Sequence, residues 1–158
     1  MSFSEPKLAI LDSFIVSGLS VRTKNSEEFN QSTAKLPRLW EDFGAVVIPK
    51  LADSKESSEV FGVYSDYDSD ATGYYKVTVG IPLRTRQTLS EFSTVTIQAG
   101  KYLVFSGKGV MPQTVIETWL RIWSFFESRL EYTRNFISDF ELYRGDEIDI
   151  YIGVRSSM

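Results

Sequence analysis

The chain has 158 residues, room for one domain or for two small halves sharing a core. A formal net charge of −4 argues against a general nucleic-acid binder, which needs a basic face to displace counterions, and is compatible with a cationic ligand. The absence of Cys and His excludes disulfides, thiolate zinc sites, haem held by His or Cys, and Ser-His-Asp or Cys-His catalysis.

The residues left for acid–base work are Asp, Glu, Tyr and Lys. Aromatics are abundant, with 8 Tyr, 11 Phe and 3 Trp, more than a small core requires. No apolar run approaches the ~20 residues of a membrane span, and no secretion signal is visible, so a cytoplasmic location is expected.

In chain order, Lys7 to Lys24 reads as one long bent strand with a bulge at Gly18. Asn25 to Gln31 is a polar loop. Leu36, Leu39, Trp40 and Phe43 recur at helical spacing, which predicts a helix over Thr33 to Phe43 with Ser32 as N-cap and Pro37 near the first turn. Leu51 to Ser58 reads as loop. Glu59 to Asp68 and Tyr74 to Leu83 read as a hairpin, and Arg84 to Ser93 as a polar linker between halves.

The pattern then restarts. Thr94 to Ser106 is a strand, with Gly100 in the place of Gly18. Pro112 opens a helix whose apolar stripe includes Val115, Trp119, Ile122, Trp123 and Phe126. Phe136 to Tyr143 and Glu147 to Arg155 make a second hairpin. The order strand-helix-strand-strand thus occurs twice, an internal duplication with half-repeats about 7–83 and 94–155 in a single domain over 1–158. The expected fold is α+β, two such units related by a pseudo-twofold axis with a ligand groove between them.

Glu141 is the leading candidate site residue. Strand alternation puts Phe136, Phe140 and Leu142 on one face and Asp139, Glu141 and Tyr143 on the other. If the hairpin brings Asp149 and Tyr151 onto the Glu141 face and Trp119 or Trp123 reaches it, an aromatic box holding carboxylates results. The competing reading is a solvated face with an ordinary ion pair. Tyr64 and Tyr102 complete the candidate ligand-binding set. A carboxylate desolvated among rings is raised in pKa, and a large delocalised cation restores its charge at a smaller hydration cost than a compact ammonium.

Asp66, Asp68 and Asp70 begin like a calcium loop, but Ala71 and Val77 stand at the positions that need Gly and Glu. They read as a solvated turn. Gly107-Lys108-Gly109 lacks the rest of a phosphate fingerprint and reads as a tight connection.

The segments AGKYLVFSGKG, PQTVIETWLRIW, SDFELY and EIDIYIGV, with FGVYSDYDSDATGYYKVTVG, resemble the gyrase-inhibitor-like effector-binding domain family across nearly the whole chain. Within it the chain resembles stand-alone members, integron-cassette cationic drug-binding proteins among them. The resemblance implies a duplicated strand-helix-strand-strand fold. It matches Glu141 to the family's ligand-contacting Glu in Phe-Glu-x-Tyr, Asp149 to the acidic position of the last strand, and Tyr151 with the helix Trp residues to pocket aromatics. Family transcription regulators add a helix-turn-helix segment, and with the fold starting by about Lys7 none is expected here. Haem-binding relatives exist, but a chain without His does not fit that role.

The expectation is a stand-alone, non-enzymatic binder of lipophilic organic cations, with no cofactor, no metal, no membrane and no direct nucleic-acid partner. The alternatives are a protein-interaction role such as DNA gyrase inhibition and, behind it, a small-ring hydrolase.

Overall fold

The computed structural model describes residues 6–28, 30, 32–47, 60–68, 73–82, 93–110, 113–128, 132–144 and 146–156. Within these, segments dense in β-branched and aromatic residues form eight strands: β1 Lys7–Leu11, β2 Phe14–Thr23, β3 Val60–Ser65, β4 Tyr75–Pro82, β5 Ser93–Ile97, β6 Gly100–Lys108, β7 Tyr132–Arg144 and β8 Glu147–Ser156. The helices are α1 Asn25–Glu28, α2 Leu36–Asp42, continued by a π-helical turn Phe43–Val47, and α3 Gln113–Ser128. All strands join one antiparallel sheet in the order β1-β6-β8-β7-β3-β4-β2-β5. No helix among the described residues is long and apolar enough to cross a membrane.

Several boundaries differ from expectation. The long strand expected over Lys7 to Lys24 breaks at Asp12-Ser13, because β1 pairs with β6 while β2 pairs with β4 and β5. The strand expected over Thr94 to Ser106 breaks likewise at Gln98-Ala99. No bulge forms at Gly18. The β2–β4 register is unbroken and sets Gly18 opposite Gly80. A Cβ on Gly18 would fall 1.9 Å from the Val79 carbonyl oxygen, so the glycine serves close approach of two strands.

Ser32 does not cap α2, which starts at Leu36. The Glu28 carboxylate takes that role, accepting from the N–H groups of Lys35 at 3.0 Å and Leu36 at 3.1 Å. Glu28 belongs to α1, a single helical turn within the span read as loop. Residues 84–92 of the linker, the loop at 51–58, Asp70 and Pro112 lie outside the described residues.

Apolar side chains fill both faces of the sheet. On one face α3 covers Leu103, Phe105 and the Ile148–Ile150–Ile152 row, with Ile122 inserted. On the same face α2 covers Tyr75, Val77 and Val79 with Leu39 and Phe43. On the opposite face Val16, Phe61, Val63, Ile97, Tyr102 and Phe140 form a third cluster. The links β1–β2 and β5–β6 are two residues long, so the outer strands continue into strands at the far side of the order. The sheet must therefore curl around this third cluster.

Candidate functional site

β3 and β7 lie side by side at the middle of the sheet and place Gly62 opposite Glu141 and Tyr64 opposite Asp139. Side chains of directly opposed residues share a face. Glu141 also stands opposite Ile150 of β8, so it projects toward the helices. Trp119 comes down to it from α3, and Trp40 of α2 packs edge-on against Tyr143 at 5.1 Å between ring centres. The carboxylate thus sits in the seam between the two helices.

Glu141 is 4% exposed. Its Oε2 accepts hydrogen bonds from Trp119 Nε1 at 2.6 Å and Tyr64 Oη at 3.0 Å, and its Oε1 accepts from Tyr143 Oη at 2.8 Å. No Lys or Arg among the described residues pairs with it. Burial pushes the Glu141 carboxyl above its ordinary value, against the opposing pull of the hydrogen bonds from Trp119, Tyr143 and Tyr64. Burial and the neighbouring Glu141 carboxylate together raise the hydroxyls of Tyr64 and Tyr143. These phenols stay protonated donors, and the carboxylate is a buried acceptor held by neutral groups.

A carboxyl raised in the folded state binds its proton more tightly folded than unfolded. Stability is therefore full below the ordinary carboxylate value and falls as pH rises through the window up to the raised one. Glu141→Gln keeps shape and hydrogen-bonding capacity without the charge. Thermal melts should show wild type and variant close together at about pH 4 and the variant increasingly the more stable towards about pH 7. A gap that shrinks with pH would contradict the buried-charge description.

The second acidic residue on this face, Asp139, is fully buried and differently served. It accepts from Arg134 Nη2 at 2.7 Å, from the Gly153 N–H at 2.8 Å and from the Tyr67 hydroxyl. Its charge is matched within the protein. The β7–β8 register is interrupted between Arg134 and Asp139, and Phe136 takes a positive φ of 52°. The bulge carries Phe136 away from Phe140 to pack on Tyr67 at 5.6 Å, so the expected Phe136–Phe140–Leu142 face holds only for the last two.

Of the residues singled out in the sequence, the structure brings together Glu141, Trp119 and Tyr64. Trp123 stands behind Trp119 at 6.2 Å between ring centres. Asp149, Tyr151 and Tyr102 are elsewhere, and the expectation that Asp149 and Tyr151 share the Glu141 face is overturned by register. Leu142 pairs with Asp149 and Phe140 with Tyr151, so these side chains point to the opposite face. There Asp149 accepts from Arg144 Nη2 and Ser106 Oγ, each at 2.6 Å, and Tyr151 stacks on Phe140 with ring centres 4.4 Å apart. Tyr102 donates to the Gln98 carbonyl at 2.5 Å on that same side. Sequence reasoning missed Gly62, Trp40 and Tyr75 as site residues. Gly62 carries no local signal, because the β3–β7 register alone aims it at the site, and Tyr75 of β4 joins it only through ring contact with Tyr64 at 5.5 Å.

An integron cassette protein from the mobile metagenome of Vibrio cholerae has 37% sequence identity and a TM-score of 0.86, with 97% of each chain covered. YobU of Bacillus subtilis (strain 168), whose name assigns it provisionally to the transcriptional regulators, is 27% identical over 98% of this chain and 99% of its own length. SAV2435, solved bound to tetraphenylphosphonium, shares the fold at 17% identity with a TM-score of 0.77, over 96% of this chain and 94% of that one. The model of integron-associated effector binding proteins matches residues 7–154, and the chain belongs to that family.

Proposed function

We propose that the protein is a binder of lipophilic organic cations, with Glu141 as the counter-charge and Tyr64, Tyr143, Trp119 and Trp40 as the surrounding rings. The observation that carries this reading is a carboxylate 4% exposed, raised in pKa by burial, and held by neutral ring donors alone among the described residues. Such a group gains most from a delocalised cation, which restores its charge and adds ring-face attraction of about 0.5–2 kcal/mol per desolvated contact. Membership of an effector-binding family supports binding over catalysis. The tetraphenylphosphonium carried by SAV2435 is a cation of the proposed kind on the same fold.

The groove is read as the seam between two half-repeats, about 7–83 and 94–155, in one domain. The strand order supports it, since exchanging the first run of strands for the second maps β1-β6-β8-β7 onto β5-β2-β4-β3. Tyr64 and Tyr143 stand on the adjacent interior strands β3 and β7, beneath α3. Trp119 lies on a helix, so its side chain is the one to swing aside when a ligand reaches Glu141.

Gly62 keeps the space for the carboxylate. A Cβ there would stand 2.9 Å from Glu141 Oε1 and 3.5 Å from Trp40 Cζ2. Gly62→Ala should turn the carboxylate off its donors and weaken cation binding by about 10-fold, with the melting temperature shifted by only a few degrees. Unchanged affinity would remove Gly62 from the site.

The testing experiment is a tryptophan-fluorescence titration with tetraphenylphosphonium and with uncharged triphenylphosphine oxide. Saturable quenching by the cation and at least about 10-fold weaker response to the neutral compound is expected. Equal response to both would refute a charge-based site.

A further inference from the structure

A continuous row of rings leaves Glu141 along the helix-side face of the sheet. Tyr64, bonded to Glu141, contacts Tyr75 at 5.5 Å. Tyr75 contacts Tyr67 at 5.9 Å, and Tyr67 contacts Phe136 at 5.6 Å between ring centres. The row ends at Arg134, whose guanidinium carbon lies 4.5 Å from the Phe136 ring centre. Arg134 is only 10% exposed, and its charge is met by fully buried Asp139 through Nη2. Its Nε–H, however, is buried with no hydrogen-bond partner.

A buried donor without an acceptor is costly, and native structures keep few of them. Here it closes one end of an aromatic row whose other end is the proposed cation site. Asp139, which holds the Arg134 guanidinium, and Glu141 are alternate residues of one strand, so the backbone positions that anchor the two ends lie about 7 Å apart along β7. Because Asp139 already balances the guanidinium, a second anion would crowd that carboxylate, whereas a neutral acceptor answers the bare N–H without adding charge.

We propose that the row is a second subsite, in which the Arg134 Nε–H donates to a neutral carbonyl-type acceptor carried by the ligand about 7 Å from its cationic centre. The preferred ligand class is then an aromatic cation bearing a ketone, ester or amide, rather than a purely hydrocarbon one. The inference rests on the cation-binding reading above.

The test compares 4-acetylbenzyl- with 4-isopropylbenzyl-triphenylphosphonium, a pair alike in shape and charge, by calorimetry on the full chain. The acetyl compound should bind about 5- to 100-fold more tightly, the gain from answering a buried unpaired donor. In Arg134→Met combined with Asp139→Asn, which leaves no buried charge unpaired, the two compounds should bind within about threefold of each other. Should that variant not fold, the wild-type arginine Nε–H resonances decide, with one moving and gaining exchange protection on addition of the acetyl compound and not of the isopropyl compound. No preference for the acetyl compound in wild type would overturn the subsite and leave cation binding standing, with the Nε–H satisfied by the Phe136 ring face. A preference that survives in the folded double variant would also overturn it. Failure of both compounds to bind would remove the underlying reading and the subsite together.

Discussion

Glu141→Gln should weaken binding of tetraphenylphosphonium by about 30-fold or more, and leave triphenylphosphine oxide within about threefold of wild type. The substitution is isosteric, so the apolar contact with the rings is retained and only the counter-charge is lost. Gln can still accept from Trp119 Nε1 and exchange hydrogen bonds with the Tyr64 and Tyr143 hydroxyls, the groups within 2.6–3.0 Å of the carboxylate. A buried cation then faces neutral groups, and the charge it brings into the low-dielectric seam is uncompensated. Binding to this counter-charge depends on pH. The cation binds the ionised carboxylate, so wild-type affinity should fall as pH drops below the raised Glu141 value, and the variant should show no such fall. Equal losses for charged and uncharged ligands would mean that Glu141 shapes the pocket rather than supplying its charge.

Phe140→Ala should cost about 3–5 kcal/mol of folding stability, a drop of about 10 °C or more in melting temperature. Phe140 is buried at the centre of the curl, stacked on Tyr151 and in edge contact with Phe14 and Tyr102 at 5.7 Å. The ring ties β7 and β8 to the short links through which the sheet closes, and no neighbour can collapse into its place without disturbing that closure. It points away from Glu141, although the two are adjacent in sequence. Below its melting temperature the variant should therefore keep cation affinity within a few-fold of wild type. Urea unfolding and calorimetry on one preparation check both halves. A loss under about 1 kcal/mol would show that the third cluster is not the closing core.

The sequence order of strands and helices was readable because apolar residues alternate cleanly in spans such as YKVTVGIP and recur at helical spacing in α3. The breaks at Asp12-Ser13 and Gln98-Ala99 were not, because they arise from a change of pairing partner and carry no change in local pattern. The Glu141 site was half legible. Parity within β7 correctly separated Asp139, Glu141 and Tyr143 from Phe140 and Leu142. Parity across the hairpin failed, because Arg144 pairs with Glu147 and so odd-numbered residues of β7 face even-numbered residues of β8. That single register choice sends Asp149 and Tyr151 to the opposite face. Phe136 departed from its expected face for a related reason, an irregularity in β7 that pattern reading cannot see.

The most direct test of the site is a crystal of the protein soaked with tetraphenylarsonium, with the arsenic located by its anomalous scattering. One principal arsenic position is expected on the helix side of β7, within ~6 Å of the Glu141 carboxylate, with Trp119 moved off Oε2. Arsenic on the Asp149–Tyr151 face, with Glu141 still holding Trp119, Tyr64 and Tyr143, would contradict the Glu141 site.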